Sequence, residues 1–130
     1  MSTTRLILIV EDEPLVLEDA VEILSDGGFE VITASDGPTA IEAINARIEE
    51  LAGIVTDVRV GNGPDGWEIA HRARELKPTV AVVYTTGHGA LEWASEGVPR
   101  SVVLQKPYAA AQLLTAVSEL LNKGDGILRS

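Results

Sequence analysis

Five short apolar runs recur along this chain, and they limit its fold more than any other feature. They are Leu6-Ile7-Leu8-Ile9-Val10, Phe29-Glu30-Val31-Ile32-Thr33-Ala34, Ile54-Val55-Thr56-Asp57-Val58-Arg59, Val80-Ala81-Val82-Val83-Tyr84 and Ser101-Val102-Val103-Leu104-Gln105. A continuous apolar run of this length reads as a strand buried on both faces. Helix-period patterns separate them. Leu17, Ala20, Val21 and Leu24 mark the first helix, with Pro14 at its start and Gly27-Gly28 at its stop. Ile41, Ile44, Ile48 and Leu51 mark the second, and Ile69, Ala70, Ala73 and Leu76 the third. The fourth, around residues 91–95 between Gly89 and Gly97, is weakly patterned. The fifth, over residues 110–121, turns Leu113, Val117 and Leu120 inward. Strict strand–helix alternation predicts a parallel sheet with right-handed crossovers and helices on both faces. One α/β domain over residues 5–121 is expected, followed by a polar, glycine-containing tail over 122–130.

Size and charge narrow the function. The 130 residues suffice for one domain with a real core, and 45% of them are hydrophobic. No apolar run approaches the roughly 18 residues that span a bilayer. Residues 1–5 lead straight into the first strand without a small-residue cleavage site, so no signal peptide and no membrane partner are expected. The absence of cysteine excludes disulfide and thiolate chemistry and agrees with a cytoplasmic setting. Twenty acids against ten bases leave a formal charge of −10. That field opposes phosphate backbones, so nucleic acid is not expected as a partner, while it is indifferent to, or favours, cations and basic protein surfaces.

The unusual polar residues fall where the strands end: Glu11 and Asp12 after the first, Asp57 in the third, Thr85-Thr86 after the fourth and Lys106 after the fifth. In the flavodoxin-like, doubly wound, five-stranded order 2-1-3-4-5, the first and third strands are neighbours at the switch point where such sheets bind ligands. Glu11, Asp12 and Asp57 would then converge. Two carboxylates ~4 Å apart repel by about 4 kcal/mol at an effective dielectric of 20, so the cluster needs a cation or a proton. Carboxylates supplemented by a carbonyl and waters describe a Mg²⁺ site. Lys106 and a threonine hydroxyl facing the same pocket suit an incoming phosphoryl group. Taken singly, Asp57 is an ordinary turn starter and Lys106 a surface lysine. Their convergence is what argues for a site.

Ile9-Val10-Glu11-Asp12-Glu13-Pro14, Thr56-Asp57, Thr86-Gly87-His88 and Lys106-Pro107-Tyr108 resemble, in order and spacing, the motifs of a response-regulator receiver domain. The resemblance spans residues 5–121 and implies a phosphorelay module, expected to stand alone without a fused output domain. It implies that Asp57 accepts a phosphoryl group from a histidine kinase or phosphotransfer protein and passes the signal to a downstream protein target. Glu11 and Asp12 match the acidic pair that holds Mg²⁺, with Asp57 and the Arg59 main-chain carbonyl as further ligands. Thr86, followed by the small Gly87, matches the switch hydroxyl. Lys106 matches the family's lysine, and the bond before Pro107 is expected to be cis. No enzymatic turnover is implied beyond assisting its own Mg²⁺-dependent phosphorylation and dephosphorylation.

Three departures bear on switching. Val60-Gly61 replaces a usual Met-Pro pair, and Gly61 to Pro64 lengthen the loop by one residue. Val103 stands where an aromatic residue is usual, and the fourth helix is weak. Gly61-x-Gly63-x-x-Gly66 spells a dinucleotide fingerprint, but it follows the third strand and lies beside Asp57 and Asp65, which would repel a pyrophosphate. His71 reads as a solvated helix residue, His88 as loop or site rim, Trp67 as packing and Trp93 as a candidate partner anchor. Two other readings compete: an aspartate-nucleophile phosphohydrolase, which usually has a second Asp where Arg59 stands, and an unphosphorylated interaction module.

Overall fold

The computed structural model describes residues 4–88 and 90–129, with side chains described as far as Asn122. Residues 1–3, Gly89 and Ser130 lie outside the described residues, and with them part of the signal-peptide reading, one flank of the weak fourth helix and the end of the expected tail. The elements run β1 (Leu6–Val10), α1 (Pro14–Asp26), β2 (Glu30–Ala34), α2 (Gly37–Arg47), β3 (Leu51–Asp57), α3 (Gly66–Leu76) and β4 (Ala81–Thr86). A 3₁₀ turn (Ala90–Glu92), α4 (Trp93–Glu96), β5 (Ser101–Gln105) and α5 (Ala110–Arg129) complete the chain. All strand pairs are parallel, in the order β2-β1-β3-β4-β5. The expected topology is therefore present.

Alternation along each strand divides the core. Ile7 and Ile9 of β1 pack with Leu24, Val55, Leu113 and Val117 on the α1–α5 side. Leu6, Leu8 and Val10 pack with Ile44, Ile54 and Ile69 on the α2–α3 side. Every residue of β1 is buried, which is why its sequence shows no polar alternation.

Several boundaries differ from the sequence pattern; among them, β4 runs on through Thr85 and Thr86, which the apolar run places just after it. Leu51 opens β3 rather than closing the second helix; it is wholly buried and pairs with Leu6. Its spacing from Ile48 mimics a helical turn because a tight turn intervenes, with Leu51 N donating to Ile48 O at 3.2 Å. Leu76, expected inward, is 41% exposed as the last residue of α3. The segment around residues 91–95 is a 3₁₀ turn followed by only four α-helical residues. The last helix continues past residue 121, because glycines weaken a helix without ending it and no proline intervenes.

The connection from α4 to β5 is tied down from α3 and β4. Arg74 Nε donates to Val80 O at 2.7 Å, Nη1 to Pro99 O at 2.5 Å and Nη2 to Arg100 O at 3.2 Å. His71 Nε2 donates to Glu96 O at 2.9 Å, so this histidine fastens a neighbouring segment rather than only facing solvent. Tyr84 Oη accepts from Val98 N at 3.0 Å, and Trp93 Nε1 donates to Ser101 Oγ at 2.9 Å. The indole of Trp93 is thus engaged within the chain. Trp67 packs its ring 4.6 Å from that of Tyr84, in the core as expected.

Candidate functional site

The C-terminal edge of the sheet is assembled by strand register. Asp57 closes β3 opposite Thr85 of β4, and Thr86 pairs with Gln105 of β5. Backbone bonds extend the alignment past the strand ends: Val58 N donates to Thr85 O at 3.0 Å, Lys106 N to Thr86 O at 2.8 Å and Glu11 N to Ala34 O at 3.1 Å. The residues that follow β1, β3 and β5 are thereby fixed before any side chain is considered.

The acids do converge. Glu11, Asp12 and Asp57 each offer a carboxylate oxygen, and these oxygens lie within 4.8 Å of one another. Glu11 and Asp57 are buried, whereas Asp12 is exposed. Lys106 bridges the buried pair, donating from Nζ to Glu11 Oε1 at 2.6 Å and to Asp57 Oδ2 at 2.9 Å. Glu11 Oε2 also accepts from Glu13 N at 3.2 Å, and Asp57 Oδ1 from Arg59 N at 3.3 Å. The Arg59 peptide therefore abuts the cluster. Thr86 Oγ1 accepts from His88 N at 3.1 Å, so His88 belongs to the turn that holds the hydroxyl. The Lys106–Pro107 bond is cis, as the resemblance implies.

Electrostatically the cluster is incomplete. Three carboxylates meet, and the one ammonium among them bridges only Glu11 and Asp57. Burial pushes the Glu11 carboxyl above its usual value, against the lowering pull of Lys106, and the charge of Asp57 adds to the rise. Burial alone would depress Lys106, but its hydrogen bonds to Glu11 and Asp57 outweigh burial and raise it. The two shifts oppose each other across one ion pair. They agree if Lys106 stays charged while Glu11, buried near a second carboxylate, resists ionising. Donors that are all hard oxygens, carrying more negative charge than the lysine cancels, fit a small divalent cation such as Mg²⁺.

Some features had no clear signal in the sequence. A cleft of about 580 Å³ opens beside Lys106, between Glu13, Leu15, Val16 and Asp19 of the first helix region and Pro107-Tyr108. Leu15 is 80% exposed there, outside the apolar pattern of Leu17, Ala20, Val21 and Leu24. Gly66 sits so close to the main chain of Asp57 that a β-carbon would collide with the Asp57 carbonyl oxygen.

Comparison with known proteins agrees with this geometry. A family model described as response regulator receiver domain matches residues 7–118. A crystal structure of a response regulator receiver protein from Sinorhizobium medicae WSM419 superposes with a TM-score of 0.90 at 47% identity, covering 93% of this chain and 97% of that one. The nitrogen assimilation regulatory protein NtrX of Azorhizobium caulinodans is 34% identical over 118 residues, 88% of this chain but 26% of its own length. The response regulator receiver protein CpdR of Brucella abortus is 29% identical over 117 residues, 88% of this chain and 95% of its own. The chain spans less than half the length of the first four curated relatives it matches.

Proposed function

The chain belongs to the response regulator receiver domain family, a phosphoacceptor signalling module of two-component systems, and on that footing we propose that Asp57 takes the phosphoryl group. The donor is a phosphohistidine on a kinase or phosphotransfer protein, and the setting is the cytoplasm. The carrying observation is the bridge from Lys106 to Glu11 and Asp57 at the sheet edge. An Asp57 oxygen attacks phosphorus, the P–N bond to the donor imidazole breaks, and an acyl phosphate forms as the imidazole departs with a proton.

Each residue has a part in this. Lys106 holds the nucleophile and follows the charge onto the phosphoryl oxygens. Thr86 supplies a hydroxyl at the neighbouring strand end. Glu11, Asp12, Asp57 and the Arg59 carbonyl would hold Mg²⁺, which neutralises charge on the phosphoryl oxygens when bound. The 580 Å³ cleft beside Lys106, with Leu15 at its rim, gives the donor an approach. Arg59, standing where a phosphohydrolase of this type has a second acid, speaks against turnover of free phosphate esters. The receiver unit is taken as residues 5–121, and its output as contact with a protein target.

The test is modification by acetyl phosphate or beryllofluoride with and without Mg²⁺, followed by transfer from a phosphorylated kinase. Modification should require Mg²⁺ and vanish in Asp57→Asn. Equal labelling of that variant would remove the assignment.

A further inference from the structure

The lengthened loop between β3 and α3 is locked onto the start of α2 by two Gly–Pro contacts. A β-carbon on Gly37 would collide with the carbonyl oxygen of Pro64 and lie 2.9 Å from its nitrogen. A β-carbon on Gly63 would lie 3.0 Å from Cδ of Pro38. The loop reaches this position through two positive-φ glycines, Gly61 at 68° and Gly63 at 89°. Both helices that meet here are capped: Asp36 accepts from Thr39 N at 2.8 Å, and Asp65 forms a reciprocal capping box with Glu68. The caps give each helix start a defined backbone conformation at the point where the two meet.

The other end of the loop is equally constrained. Gly66 N donates to Val58 O at 2.8 Å, and Gly66 presses on the Asp57 main chain. Val60 is 1% exposed in the α2–α3 core. The Arg59 peptide therefore lies in a loop fixed at its base, its middle and its tip. The tip is held by α2, an element that carries none of the residues assigned to the site.

We propose that Gly37 and Pro64, with Gly63 and Pro38, are positioning residues that set the Arg59 carbonyl and so the affinity of the site for Mg²⁺. This rests on the reading of Asp57 and Arg59 given above. Mg²⁺ tolerates little departure from octahedral geometry, so a ligand carbonyl must be held to within a fraction of an ångström. A methyl group on Gly37 forces the loop tip away from α2, and misplacement by about 1 Å can cost on the order of 100-fold at a reacting centre. An effect relayed through the loop should be smaller.

The test is Mg²⁺ titration followed by tryptophan fluorescence, together with acetyl phosphate labelling at rising Mg²⁺ and a thermal melt. Trp67 is the second residue of α3, directly after Gly66, and is buried. Gly37→Ala should raise the Mg²⁺ half-saturation by about tenfold, while the labelling rate at saturating Mg²⁺ stays within about twofold of wild type. Gly63→Ala combines a milder contact with a φ of 89° that strains the substituent as at Gly28; it should shift the half-saturation the same way, read against the Gly28→Ala control, and serves if Gly37→Ala does not fold. Gly28→Ala is the stability control: its φ of 95° strains any substituent, but nothing lies within 4 Å and it sits at the α1–β2 turn. It should lower the melting temperature and leave the half-saturation unchanged. Half-saturation unchanged in both clasp variants, or rate and affinity falling together as stability falls, would overturn the inference alone. A wild-type chain that takes up neither Mg²⁺ nor phosphate would remove the underlying reading, and this inference with it.

Discussion

Tyr84 and Val103 are register partners on β4 and β5, and the aromatic ring stands on β4. Tyr84 is wholly buried, its ring packs against Trp67 and its hydroxyl accepts from Val98 N. Val103 is half-buried and β-branched, with little rotamer freedom. The usual turning ring on β5 is therefore absent, and the ring beside its place is pinned.

A pinned ring leaves the backbone to carry the change of state. Among the described residues between Gly87 and Glu92, Leu91 is 96% exposed, whereas Glu96 to Ser101 is held by His71, Arg74, Tyr84 and Trp93. Beryllofluoride should raise hydrogen-exchange protection in the segment 87–97, most at its amino-terminal half. Protection confined to the loop after Asp57 would rule this route out.

Tyr84→Phe keeps the ring and removes the acceptor for Val98 N. A buried N–H left unpaired costs about 1–3 kcal/mol, so denaturant unfolding should show a loss of that order. Exchange at Val98 should quicken in the unmodified protein. An unchanged midpoint would mean that water replaces the hydroxyl.

Lys106→Ala leaves Glu11 and Asp57 facing each other without their shared cation. Removing one partner of a buried pair costs about 3–5 kcal/mol; Lys106 is partly exposed, so the lower end applies. Mg²⁺ should restore much of that stability, and labelling should persist without the conformational response. Loss of Mg²⁺ binding in this variant would contradict the assignment of the acids as the cation's ligands.

Mg²⁺ affinity should fall with acidity earlier than ordinary carboxylates would dictate. Because the folded protein raises the Glu11 carboxyl, the proton's contribution to stability is complete below the usual glutamate value and is lost as pH climbs through the raised one. The cation must displace that proton. Calorimetry across pH 5–8 should show proton release on binding at the acidic end, absent in Glu11→Gln.

Arg59 is exposed next to the site and carries a long guanidinium side chain. A long cationic side chain there should shield an acyl phosphate on Asp57 from water. Arg59→Ala should shorten the half-life of phospho-Asp57 several-fold. A longer half-life would assign Arg59 to hydrolysis instead.

Topology and the convergence of Glu11, Asp12, Asp57 and Lys106 were legible because they follow from which residues end each strand. Burial on both faces made the strands stand out as unbroken apolar runs. Leu51 was misread because a three-residue spacing across a tight turn imitates a helix. The His71 and Arg74 bonds to main-chain carbonyls left no trace, since a carbonyl acceptor has no side-chain identity to recognise. The Gly37–Pro64 contact was hidden for a similar reason: it depends on an atom that glycine lacks.

Arg74 gathers the carbonyls of Val80, Pro99 and Arg100 under one guanidinium. That arrangement makes the lower edge of the sheet a fulcrum. A displacement begun at Thr86 would then meet resistance along β5 and should pass instead to the segment that bears the exposed Leu91. A target that grips this segment would feel the phosphoryl group without touching it.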